Sequence, residues 1–256
     1  MIVSDDDRPA YEWFGIGAVS PGEIIDALPP SGPVTIKVDS PGGNLIAGAS
    51  IYTALMQHPG PVTFEIVGLA ASAASVIAMA SAKAGNLCRM SPMALMMVHN
   101  VQGSAEGDYR DMLESADFLQ TANQTIVNAY LIKTKKSEDE IRAMLDDETW
   151  FSAAEAMSAG LIDEIMFVED EAELLDGTAN AYAYAIAGKR RAKALLNLIP
   201  TLPKQALLDF RERMKAAPAD EGEPKPAPGQ PKAVEEKPSE ETENARARIE
   251  LERARF

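Results

Sequence analysis

Val62-Thr-Phe-Glu-Ile-Val-Gly-Leu-Ala-Ala-Ser-Ala-Ala-Ser-Val-Ile-Ala78 changes character partway along. Val62 to Val67 is β-branched and aromatic, as strands are, whereas Ala70 to Ala84 is a small-residue run that predicts a helix packed close to its neighbours. The same plan stands immediately upstream. Val34-Thr-Ile-Lys-Val38 reads as a strand, Ser40-Pro-Gly-Gly43 as a turn, and Asn44 as the N-cap of a helix through Met56. Leu45, Ala49, Tyr52 and Leu55/Met56 recur at helical spacing, and His58-Pro59-Gly60 ends the helix. A strand, turn and helix repeated twice predict an α/β domain.

Working outward, Ala94 to Val98 is a further strand that delivers His99 at its end, and a long helical pattern follows from about Tyr109 to Lys133. Ser137 caps a helix to about Leu145. Trp150-Phe151 is a short extended piece, and Ser152-Ala-Ala-Glu155 has the capping-box form before a helix that Gly160 stops. Leu161 to Ile165 follows. On the other side, Ile24 to Leu28 makes a short helix after an irregular N-terminus. These readings divide the chain into an N-terminal segment (1–20), a main domain (21–176), a helical extension (177–215) with a basic run from Gly188 to Lys193, a linker (216–238) and a charged helix (239–256). The linker is rich in Pro, Ala, Glu and Lys and lacks the apolar surface to order itself.

The 256 residues suffice for one buried core, and 46% of them are hydrophobic. A formal charge of -15 repels a phosphate backbone and argues against nucleic acid as a partner. Ile66 to Ala80, the most apolar run, is shorter than the roughly 20 residues a membrane span needs. The one cysteine, Cys88, and an opening sequence unlike a secretory signal place the chain in a reducing cytoplasm.

A serine hydroxyl becomes a useful nucleophile only beside a base, and the sequence has just two histidines. His58 sits at a helix end, where capping is its expected role. His99 emerges at a strand end, where functional groups are commonly displayed. Ser72 stands between strand and helix among residues small enough for a substrate backbone to approach, although an Ala-Ser run equally suits a helix packed on a sheet. Gly43 has no side chain to block its amide, which could meet an oxyanion; a plain type II turn would need the same residues. Alpha/beta-hydrolases run Ser, acid, His and carry G-x-S-x-G, absent here. A Ser-Lys dyad would need Lys83, several turns along the helix.

Asp39-Ser-Pro-Gly-Gly43, Gly68-x-Ala-Ala-Ser72, the strand ending in His99, Trp150 to Ala156, and Gly160-Leu-Ile-Asp163 resemble, in order and spacing, successive blocks of the Clp protease proteolytic subunit family over residues 33–167. Within it the chain is most similar to the Clp-like head maturation proteases of tailed bacteriophages. The resemblance implies a Clp/crotonase-like α/β fold of repeated β-β-α units with a long handle helix; composition adds a largely disordered C-terminal extension beyond the family domain. It implies a serine endopeptidase with Ser72 as nucleophile, His99 as base, and the amides of Gly43 and Ala73 as oxyanion hole. Where the family has an aspartate this chain has Glu148, with Asp147 as the alternative third member, since strand alternation puts the two on opposite faces. No metal or cofactor is required. The expected partners are a homo-oligomeric ring, stacked through the handle helix, and capsid or scaffold substrates in a bacterial host cytoplasm or a procapsid. Met1 to Ser20 has no clear counterpart of the family's gating segment, so an unfoldase ATPase is a doubtful partner. A catalytically silent assembly scaffold and a crotonase-like acyl-CoA enzyme are the alternatives; the latter needs neither Ser72 nor His99.

Overall fold

The computed structural model describes residues 1–168 and 201–216. The expected linker and charged helix, and the basic run at Gly188, lie outside the described residues. Among the described residues, six strands form one sheet around β2 (Val62–Ala71). β1 (Val34–Ser40) runs parallel along one edge of β2, from Val34 opposite Val62 to Val38 opposite Ile66. The other edge is shared. β3 (Leu87–Met90) pairs with the first half of β2, and β4 (Leu95–Val98) pairs with its last residues, Leu69 to Ala71. β5 (Thr149–Phe151) extends β4 antiparallel and β6 (Glu164–Ile165) extends β3 parallel.

Alternation explains the first half of β2. Val62, Phe64 and Ile66 are fully buried while Thr63 and Glu65 are half-covered. Ala70 and Ala71 are then both buried because both faces of the sheet are covered at that point. The strand therefore continues to Ala71, where the sequence predicts helix from Ala70: pairing with Met96 and Met97 overrides the helical preference of alanine. The helix, α4 (Ala73–Ala78), is buried at every position, which only small and aliphatic residues permit, and it tightens into a 3-10 turn over Met79–Ala82. β3 is not legible in the sequence, since Leu-Cys-Arg-Met has no β-branched residue.

α3 (Leu45–Gln57) begins at Asn44, whose side chain accepts the Ala47 amide at 2.9 Å. α5 (Tyr109–Lys133) is the long helix, α6 (Glu138–Asp146) and α7 (Ala153–Ser158) open with full capping boxes at Ser137 and Ser152, and Gly160 ends the last turn at φ 74°. His58 is the C-cap residue of α3, its amide donating to Ala54 O at 3.0 Å, but its ring is turned to another partner. Its ring Nε2 lies 2.9 Å from the carbonyl of Gly32, and the imidazole is buried. No helix among the described residues is long and apolar enough to cross a membrane.

The N-terminus is more ordered than its sequence suggests. The Ile2 amide donates to Gly42 O and its carbonyl accepts from Asn44 N, while Val19 flanks it on the other side. α1 (Arg8–Trp13) and α2 (Pro21–Ala27) follow. α8 (Lys204–Ala216) lies against α1: Phe210 packs on Trp13 at 5.8 Å between ring centroids, and Arg211 pairs with Asp7 at 2.8 Å.

Candidate active site

β2 ends one residue before Ser72, whose amide donates to Met97 O at 3.0 Å and so prolongs the β2-β4 ladder by one bond. Its carbonyl already accepts the amides of Ser75 and Val76, at 3.0 and 3.2 Å, as the first turn of α4. The whole change from strand to helix is made at this residue, with φ 55° and ψ -126°. A side chain at positive φ costs on the order of 1–3 kcal/mol, and such strain persists only where the surroundings enforce it.

β4 ends at Val98, and His99 is the next residue. Because β4 lies beside the last residues of β2, both chains run out at the same place. Ser72 Oγ and His99 Nε2 are 2.8 Å apart, within hydrogen-bond reach, and both side chains are half-buried. In that geometry an unprotonated Nε2 accepts the hydroxyl proton. The other nucleophile candidates lie elsewhere. Burial pushes the Cys88 thiol up to about 12, and the residue is fully enclosed in β3. The Lys83 ammonium is engaged by the carbonyl of His58, at the far end of α3.

The acidic cluster sits at the turn from α6 to β5. Thr149 pairs with Val98 and Trp150 with Met97, so carrying the antiparallel register one step further sets Glu148 opposite His99. Glu148 is half-buried with φ 48°; Asp147 is exposed and caps α6 with an ordinary helical φ of -78°. Asp146 accepts from Asn100 Nδ2 at 2.7 Å, which ties the residue after His99 to the same turn. Ser72, Glu148 and Phe167 are the non-glycine residues at positive φ among those described, and two of the three are site residues expected from the sequence.

Gly43 and Ala73 both line a cleft of about 470 Å³ with Ser72, His99, Val101 and Gln102. The bridge to Ile2 uses Gly42 O and Asn44 N, so the amide of Gly43 itself faces away from Ile2. A second cleft of about 720 Å³ runs past Gly103 along the first turns of α5, whereas Gly107 does not line it. The residue that sequence reasoning underrates is Gly42. At φ 96°, a β-carbon there would lie 2.7 Å from Ser72 Cβ and 2.9 Å from Ala73 N, so the turn packs directly on the strained serine. Gly42→Ala is expected to destabilise the fold by about 1–3 kcal/mol through the backbone conformation alone. It should also displace Ser72, so that a lower melting temperature comes with loss of peptide hydrolysis.

Comparison with known proteins assigns the family. The family described as Clp protease matches residues 23–169. The chain is similar to the ATP-dependent Clp protease proteolytic subunit 1 of Chlamydia muridarum, 31% identical over 163 residues that cover 62% of this chain and 83% of that protein. The subunit of the same name from Chlamydia abortus is 32% identical over the same share of each chain. The ATP-dependent Clp protease proteolytic subunit of Bacteroides fragilis is 31% identical over 142 residues, 56% of this chain and 68% of that one. With a match across more than half its length, and a strained serine beside a histidine at the heart of the matched region, the chain belongs to the Clp protease family and is a serine peptidase.

Proposed function

We propose that Ser72, His99 and Glu148 act as nucleophile, general base and orienting carboxylate of an endopeptidase that hydrolyses peptide bonds without nucleotide. The observation that carries this reading is the 2.8 Å contact from Ser72 Oγ to His99 Nε2 at a strained strand-to-helix turn. Ser72 Oγ attacks the scissile carbonyl carbon as its proton passes to His99 Nε2, and the oxyanion is met by the amides of Gly43 and Ala73. Collapse breaks the C–N bond, with His99 protonating the departing amine. Water then attacks the acyl-enzyme by the same route and releases the acid. An extended substrate adds as a strand beside the sheet, where backbone pairing gives affinity with little demand on sequence. A crotonase-like reaction leaves the serine-histidine contact without a purpose.

In this reading the subunits assemble in a ring through α5, and the substrates are capsid or scaffold proteins of a phage head, processed in the host cytoplasm. The support is the resemblance read in the sequence motifs together with the charged extension, which lies beyond the family match that ends at residue 169. Incubating wild type and Ser72→Ala with a capsid or scaffold precursor tests the substrate. Wild type should cut it and the variant should not; equal cleavage by both would sink the mechanism. A fluorophosphonate should label wild type at Ser72 alone.

A further inference from the structure

We propose that Ser75 and Tyr130 are positioning residues that hold the Ser72–Ala73 peptide in the orientation needed to turn the Ala73 amide toward the oxyanion. The inference rests on the reading above, in which that amide is half of the oxyanion hole.

Ser75 Oγ lies 2.7 Å from Ser72 O and 2.8 Å from the hydroxyl of Tyr130. A carbonyl has no proton to give, so Ser75 must spend its only proton on Ser72 O, and Tyr130 must be the donor to Ser75. The direction of the chain is therefore fixed: Tyr130 O–H to Ser75 Oγ, Ser75 O–H to Ser72 C=O. Both residues are buried, at 0% and 1% exposure. Burial pushes the Tyr130 phenol above its ordinary range, so the donor keeps its proton. Packing alone does not ask for these hydroxyls. Alanine and phenylalanine would fill nearly the same space, and a buried polar pair adds little stability over its apolar isostere.

The peptide they grip explains their presence. In a planar trans peptide the C=O and N–H point in opposite directions. With the oxygen of Ser72 drawn inward to Ser75 and Tyr130, the N–H of Ala73 is turned away from the core, and Ala73 lines the cleft. The orientation is not the one Ser72 would choose. Rotating this peptide by half a turn would carry ψ of Ser72 from -126° to about 54° at φ 55°, inside the left-handed region that an L-residue tolerates much better, while turning φ of Ala73 out of its helical value by the same half turn. The flip would put a carbonyl oxygen where an oxyanion must bind. Three donors on Ser72 O oppose it, the amides of Ser75 and Val76 and the hydroxyl of Ser75, and the last is backed by a second hydroxyl from α5. Donation to the carbonyl also polarises the peptide and sharpens its N–H as a donor.

The test compares wild type, Ser75→Ala, Tyr130→Phe and the double variant on a fluorogenic peptide, with a peptidyl boronate as tetrahedral probe. Ser75→Ala is expected to lower kcat by about 10- to 100-fold, less than the ~10²–10³ cost of deleting an oxyanion donor outright. Tyr130→Phe should cost about 3- to 10-fold. KM and the acidic limb of the pH profile should stay in place, because binding and His99 are untouched. Boronate affinity should fall in step with kcat. The double variant should be no worse than Ser75→Ala, since Tyr130 acts only through Ser75. Values of kcat within twofold of wild type, a loss confined to melting temperature, or a loss carried by KM would overturn the proposal. Tyr130→Phe keeps it testable if Ser75→Ala does not fold. Failure of the catalytic reading looks different: wild type itself would then resist fluorophosphonate at Ser72.

Discussion

Replacing Ser72 by alanine should lower kcat for a peptide substrate by about 10⁶-fold, and replacing His99 by alanine should cost about the same. In the proposed mechanism the two side chains work as one unit. Without the imidazole the hydroxyl keeps its proton at neutral pH, and without the hydroxyl the imidazole has nothing to activate, so the double variant should be no worse than either single one. Residual turnover of about 10³–10⁴ over water would come from the cleft and the oxyanion donors. Loss of activity should not come from loss of fold, because alanine meets the same backbone strain as serine at φ 55° and ψ -126°. Ser72→Gly provides an internal check. It should be equally inactive yet more stable than Ser72→Ala by about 1–3 kcal/mol, since glycine alone adopts that conformation without strain. Steady-state kinetics and thermal melts of wild type and the four variants measure both halves of this expectation. Comparable melting of the alanine and glycine variants would mean that the turn at Ser72 is not strained.

That strain marks the boundary between what the order of residues reveals and what the fold adds. With two histidines in 256 residues, and one of them at a strand end, His99 stands out from the sequence alone. The long helix Tyr109–Lys133 is equally legible, because helical periodicity over seven turns leaves little room for another reading. Ala70 and Ala71 read locally as helix because that is alanine's preference, and only the approach of Met96 and Met97 from β4 makes them strand. Tyr130 lies 55 residues from Ser75, and neither residue type announces the other. Gly42 is visible as a turn residue, but the lack of room for a β-carbon between it and Ser72 arises where the end of β1 meets the end of β2, only once the strands are paired. The sequence thus exposes groups that act by their chemistry, and the fold exposes those that act by holding others.

In the proposed triad Glu148 would belong to both kinds, and it is where a substitution should separate two adjacent carboxylates most sharply. Glu148→Gln is expected to lower kcat by about 10³–10⁴-fold, the loss that follows when the orienting carboxylate of such a triad is neutralised and the histidine tautomer is no longer enforced. Asp147→Asn should stay within a few-fold of wild type. The contrast follows from the register of β5, which faces Thr149 to Val98 and, if carried one step past its last pair, sets Glu148 opposite His99, while Asp147 turns out to solvent at the end of α6. Glutamate in place of the family's aspartate adds a methylene between backbone and carboxylate, so the backbone must stand further from the imidazole; the unusual φ of 48° at Glu148 bends the chain at that point. Glu148→Asp should therefore fail to behave as a conservative change. It retains the charge but withdraws it by about 1.5 Å, one carbon-carbon bond, and a misplacement of about 1 Å can cost 10²-fold in such a site. Measuring kcat and KM for the three variants across pH decides the matter: a large loss in Asp147→Asn with Glu148→Gln near wild type would move the role to Asp147, and full activity in both would remove the carboxylate from the mechanism.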